Sequence, residues 1–177
     1  SMIVDMRLRN LAATEVRGID ANFKQLFESR LGAFEVDLSG TYLFGFKQGI
    51  TSEDTLVDVR DTGGNPPSLR LRAALDWYQL GKLDRGLAAS AVVNYVRNYS
   101  DIENSYRRPV ASMTTLDLQL SYRTPRGDRA LDDIEIGLSA INVFDRDPPF
   151  FNNSLGYDPA NALPTGRIVG MYIQKNW

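Results

Sequence analysis

The sequence predicts an all-β chain, an antiparallel up-and-down meander of about seven long strands. Three observations carry that expectation. Apolar and polar residues alternate with a period of two in run after run, while helical spacing is nearly absent. Several runs hold the alternation for ten residues or more, against the ~5–6 residues of an ordinary globular strand. The connections between runs alternate, short then long, along the whole chain.

Taken in order, the first strand falls within about Asn10 to Phe27, where Ile19, Ala21, Phe23 and Phe27 oppose Asp20, Asn22 and Lys24. The second is the clearest. Phe34, Val36, Leu38, Tyr42, Phe44 and Phe46 share a face with Gly40, against Glu35, Asp37, Ser39, Thr41 and Lys47, with Leu43 out of step. Next, Leu69, Leu71, Ala73, Leu75 and Trp77 oppose Arg70, Arg72 and Asp76. Leu87, Ala89, Ala91, Val93 and Tyr95 oppose Ser90 and Asn94. Leu116, Leu118, Leu120 and Tyr122 oppose Asp117, Gln119, Ser121 and Arg123. Ile134, Ile136, Leu138 and Ala140 oppose Glu135 and Ser139, and Val169, Met171 and Ile173 oppose Gly170, Tyr172 and Gln174.

Runs of this length suit the ~9–11 residues that a tilted strand needs to cross a bilayer. The short connections are Glu28–Gly32, Leu80–Gly86 and Thr124–Asp132; the long ones are Gln48–Ser68, Asn98–Met113 and Phe144–Gly166. Transmembrane barrels keep short turns on the periplasmic side and long loops outside, and an inward-running last strand puts every connection on its proper side. Val36, Leu38, Leu71, Leu118, Ile136 and Met171 are then expected to face lipid, and Asp37, Arg72, Asp117 and Glu135 the lumen. Aromatics at the strand ends read as interfacial girdles: Tyr42, Phe44 and Phe46 outside, Trp77, Tyr78 and Trp177 at the periplasmic side.

Composition narrows the chemistry. The 177 residues suit one ordinary domain, and 43% are apolar. Twenty basic against 22 acidic residues give a net charge of −2 with no basic run, so no nucleic-acid partner is expected. There is no Cys and no His. That removes thiol nucleophiles, imidazole acid–base chemistry and the commonest transition-metal ligands, and it suits an oxidising compartment. No apolar run approaches the ~20 residues of a membrane helix, and no secretory leader is legible. Ser1-Met2 reads as an expression remnant on a trimmed piece of something longer.

Other motifs carry little. Asp54, Asp58 and Asp61 are oxygen ligands of the kind calcium takes, but their spacing matches no EF-hand and a solvated loop explains them. Arg126–Asp128 reads as a turn, and Asp61–Pro67 as a Gly-Pro loop without a phosphate-cradling consensus. Asp117 and Glu135 lie on polar strand faces without forming a catalytic pair. No catalytic residue, metal site or cofactor is expected, and no enzyme.

The end of the chain resembles the C-terminus of TonB-dependent outer-membrane receptors. An Asn–apolar–Phe–Asp motif closes the penultimate strand, here Asn142, Val143, Phe144 and Asp145. A loop with Pro148, Pro149, Tyr157 and Asp158 follows, then Gly166 and Arg167 open a last strand that ends on Trp177. Upstream, Asn10 followed by Gly18, Ile19 and Asp20 is similar to another strand of the family. The resemblance implies the C-terminal third of a 22-stranded barrel around a plugged lumen, with the plug, the TonB-contacting segment and the earlier strands absent. It also implies a bacterial outer-membrane location and active uptake of a scarce nutrient: an iron–siderophore, cobalamin or a glycan. Its partners would be outer-membrane lipid, the rest of barrel and plug, TonB through the missing N-terminal part, the barrel-assembly machinery and a small-molecule ligand.

Val169, Met171, Ile173 and Trp177 match the assembly signal of the family's last strand, while Lys175 departs from it and is expected to snorkel toward the headgroups. In the last long loop, Phe150, Phe151, Asn152, Asn153 and Tyr157 are the candidate ligand contacts. Packing of Phe150 and Phe151 onto the barrel rim is the equal alternative. Two other architectures stay open: a complete small outer-membrane barrel with a structural or pore role, and a soluble β-sandwich binding module. A seven-stranded arc on its own has two open edges and is expected to self-associate.

Overall fold

The computed structural model describes residues 13–49, 55–79, 86–102, 107–127 and 131–175. Asn10, Asp54, Gly81, Asp128 and Trp177 lie outside them. The elements are β1 (Ala13–Ser29), β2 (Gly32–Gly49), β3 (Val57–Asp58), β4 (Leu69–Tyr78), β5 (Gly86–Val96), β6 (Tyr99–Asp101), β7 (Arg108–Val110), β8 (Met113–Arg123), β9 (Ile134–Ile141) and β10 (Ile168–Lys175). Seven of these strands form one sheet in the order β1-β2-β4-β5-β8-β9-β10, with β3 added beside the far end of β2. Every neighbouring pair of the seven is antiparallel. The sequence expectation of a sequential meander holds throughout. The short pairs β3 and β6–β7 carry too few residues to leave a period.

Directly opposed residues in an antiparallel pair project to the same side, so the register sorts the two faces. One row crosses all seven strands as Phe27, Phe34, Trp77, Ala89, Leu120, Leu138 and Met171. It is apolar from end to end, and Phe27 stacks on Phe34 at 5.5 Å between ring centroids. A row on the other side runs Glu35, Asp76, Ser90, Gln119, Ser139 and Gly170. Val36, Leu38, Leu71, Leu118, Ile136 and Met171 all fall on the apolar side, and Asp37, Arg72, Asp117 and Glu135 on the polar one.

Two aromatics sit differently from the sequence expectation. Between Gly18↔Leu43 and Arg17↔Gly45 the register shifts by one residue, leaving Phe44 as an extra residue in β2. A bulge of this kind inverts the alternation beyond it. Phe44 stays beside Tyr42, edge to face at 5.4 Å, on the apolar side. Phe46, paired with Val16, falls on the face of Gly18 and Leu43 instead. Tyr78, opposite Ala33 and adjacent to Trp77, likewise lies on the polar face.

β1 and β2 run for 17 and 18 residues, beyond the ~9–11 that cross a bilayer. They are joined by a two-residue turn, where Ser29 Oγ accepts from Leu31 N at 3.1 Å. Gly32 closes this turn with φ +138°, and a Cβ there would run into the Tyr78 carbonyl and the Trp77 indole. Trp77 Nε1 in turn donates to Leu31 O at 2.9 Å, pinning the aromatic at the short-turn end. Lys175 Nζ donates to the Asp132 carbonyl at that same end.

Candidate functional site

All three long connections lie at one end of the sheet and lock together. Backbone bonds join the first two: Gly63 N to Ser100 O at 2.9 Å and Ser100 N to Asp61 O at 2.8 Å. The third is tied in by buried side chains. Asp158 accepts from Gly64 N at 3.0 Å and from Asn161 Nδ2 at 2.7 Å, and Asn161 Nδ2 also donates to Asn65 O at 2.9 Å. Asp101 accepts from Asn152 N at 3.0 Å. Tyr99, Val110 and Phe151 form the apolar centre of this roof. Burial pushes the Tyr99 hydroxyl above its ordinary range, and the Asp158 carboxylate that accepts its hydrogen bond adds to the shift.

The Asn142–Asp145 motif is a turn that ends one strand and places the next. Asn142 and Asp145 both have left-handed backbone, φ +52° and +53°, a conformation that Asn and Asp tolerate better than most residues. Asn142 Oδ1 accepts from Arg146 N at 3.0 Å and its Nδ2 donates to Arg146 O at 2.9 Å. Asp145 Oδ1 then accepts from Arg167 N at 2.7 Å, across the loop, just before β10 begins.

Toward the roof the polar face forms a trough. One part, about 510 Å³, is walled by Asp20, Asn22, Ser39, Thr41, Arg70, Arg72 and Asn94. A second, about 360 Å³, shares Arg70 and Asn94 and is bounded by Thr115, Asp117 and the 159–166 segment. Arg70 Nη2 donates to Asn161 Oδ1 at 2.5 Å and so connects wall to roof. Asp117 accepts from Asn94 Nδ2 at 3.0 Å and from Asn142 N at 2.8 Å.

The five loop residues singled out from sequence are split. Phe151 is 2% exposed, beside Tyr99 and over Gly63, where a Cβ would strike its ring. Phe150 is 66% exposed. Asn153 is spent on its own turn: Oδ1 accepts from Leu155 N and Gly156 N, and Nδ2 donates to Tyr157 O. Tyr157 and Asn152 are half-buried. Val169, Met171 and Ile173 project together from the apolar face of β10. Asp58 and Asp61 act as turn acceptors, for Phe46 N, Arg60 N and Ser68 N. The long-range bonds of Asp101, Asn161 and Arg70 have no local sequence signal, since they reach 51 to 96 residues along the chain.

A long-stranded sheet with one lipid-like face, one polar face and its elaborated loops at one end is the wall of a transmembrane β-barrel. Comparison with known families agrees and goes further. The family model described as TonB dependent receptor-like, beta-barrel, matches residues 3–143. The chain belongs to that family of outer-membrane receptors, whose work is transport. The match stops within the Asn142–Asp145 turn. No curated protein and no solved structure matches the chain.

Proposed function

We propose that this chain is the C-terminal third of a receptor barrel of about 22 strands, which imports a scarce nutrient across the bacterial outer membrane with energy delivered by TonB. An iron–siderophore, cobalamin or a glycan is the class of cargo. One observation carries the reading. Seven antiparallel strands leave β1 and β10 running in the same direction, each an unpaired edge of the sheet among the described residues. Bacterial single-chain barrels are antiparallel with an even strand count, so an odd number of further strands is needed to close this one. That argues against a complete small barrel. A β-sandwich needs a second sheet across the apolar face, and the described residues hold only the β6–β7 pair besides this sheet. On its own the arc would hide its edges and apolar face by self-association.

The ligand side is the roof and the trough beneath it, with Phe150 and Tyr157 as the contacts from the last loop. Asp158, Asp101 and Phe151 hold that loop in place. The orientation is tested by single Cys residues in the whole receptor, to which this chain adds no background thiol. Leu155→Cys and Leu163→Cys, at positions 57% and 72% exposed, should label on intact cells with a membrane-impermeant maleimide, and Gly127→Cys should not. Labelling at Gly127 alone would invert the topology and remove the roof from the ligand side.

A further inference from the structure

We infer that the wall around Arg70 and Arg72 is a subsite for a ligand carrying two or more anionic groups, carboxylate or phosphate. This deepens the receptor reading above and rests on it. The polar face treats its cations in two ways. Toward the short-turn end each has a carboxylate: Lys24 Nζ pairs with Glu35 at 2.6 Å, and the Arg123 guanidinium pairs with Glu135. Toward the long-loop end Arg70 and Arg72 have none. Arg72 has no hydrogen-bonded or ionic partner among the described residues, and Arg70 donates only to the neutral Asn161 amide. Carboxylates are present nearby but are engaged by neutral donors. Asp20 accepts from Thr41 Oγ1 at 2.5 Å, Asp37 from Asn22 at 3.5 Å, and Asp117 from Asn94 and Asn142 N.

The geometry names the ligand class. Arg70 and Arg72 are alternate residues of β4, so their side chains leave the same face about 7 Å apart. A guanidinium presents a planar fork of donors that fits a carboxylate or phosphate with two parallel bonds. Two forks at that spacing favour two linked anionic groups over one. Ser39 adds a neutral hydroxyl in the same trough.

The test uses the whole receptor that carries this chain, purified in detergent micelles, with titration calorimetry against succinate, inorganic phosphate and acetate. Succinate, with two linked anionic groups, should bind more tightly than phosphate, and phosphate more tightly than acetate; binding of succinate and phosphate should weaken as salt is raised. Arg72→Gln should weaken both by roughly tenfold or more, the loss of a charge-assisted hydrogen-bond pair. Arg72→Lys should fall between, since it keeps the charge and loses the fork. Arg123→Gln, at the paired end of the wall, should bind as the parent does. Heat-modifiable migration on gels checks that each variant is folded. Equal binding by folded Arg72→Gln and parent overturns the inference. So does a parent receptor that binds none of the three anions, because Arg72 is then satisfied within the receptor itself. TonB coupling is read separately, by co-purification with the periplasmic domain of TonB. A receptor that couples to TonB and ignores all three anions refutes this subsite and leaves the receptor reading standing.

Discussion

Phe151→Ala should release the roof of long loops while leaving the sheet intact. Phe151 is 2% exposed and sits between Tyr99 and Gly63. A buried aromatic removes ~150–250 Å² from water, which at ~25 cal/mol per Å² is roughly 4–6 kcal/mol. Phe→Ala changes in cores cost about 3–5 kcal/mol. The roof is built from loops with a core of its own, so the loss should fall on its local opening, not on the barrel. Taking the lower figure, the open population rises about 150-fold, at a factor of ten per ~1.4 kcal/mol. Amide hydrogen exchange reads this directly. Asn152 N, Gly63 N and Gly64 N are held by Asp101, Ser100 and Asp158, and all three should exchange about 100-fold faster or more. Gln119 N, inside β8, should not change. Phe150→Ala is the control: that side chain is 66% exposed, and its removal should leave exchange within error. Unchanged exchange at the three roof amides in Phe151→Ala would refute the idea that one apolar centre holds the loops together.

Two further outcomes follow from the faces and from the roof. Leu118→Arg, on the apolar side, should cost ~2–4 kcal/mol in lipid vesicles if it lies near the midplane, while Gln119→Arg on the polar side should cost far less; equal urea midpoints would refute the face assignment. The raised Tyr99 pKa means that tyrosine is neutral in both folded and unfolded loops below pH 10. Above that value the unfolded form ionises and the folded form resists, so roof stability should fall as the pH rises past about 10. Tyr99→Phe should remove this alkaline loss, as measured by limited proteolysis of the loops across the pH range.

Most of the sheet is legible in the sequence because period two is a purely local property. Each residue's face follows from its neighbours two positions away, and the register adds only which strand lies opposite. The misplacement of Phe46 shows where this fails. A single extra residue, Phe44, reverses the parity of everything after it, and only Leu43 out of step and the neighbouring Gly45 mark the spot in the local pattern. The Asn142–Asp145 turn was open to physical reading, since two left-handed positions suit Asn and Asp. The roof was not. Phe150 and Phe151 are neighbours of identical chemistry, and only contacts from the other two loops decide that one is buried and the other exposed. Asp158 reaches a backbone amide 94 positions away, beyond anything spacing can convey.

The distribution of burial says which parts of this molecule belong in water. Among the described residues the buried hydrophobics are Ala33, Ala74, Tyr99, Val110 and Phe151. Three of the five are in the loops. The two from the sheet, Ala33 and Ala74, lie on its polar face, opposite Tyr78 and Asp37. Its apolar face contributes none. There Ile19, Phe23, Leu71, Leu120, Leu138 and Met171 are between 46% and 69% exposed. Each such side chain left in water forgoes ~1.5–3 kcal/mol, and the whole face forgoes tens. No folded chain with a net stability of ~5–15 kcal/mol carries that in aqueous surroundings. Hydrocarbon removes the penalty without any protein core, which is why long strands with bare apolar rows form a stable wall in a bilayer. Loops that extend into water have no such solvent and must bury apolar groups against one another. The Tyr99–Val110–Phe151 centre meets that need, so the same accounting that puts the sheet in lipid puts the roof outside it.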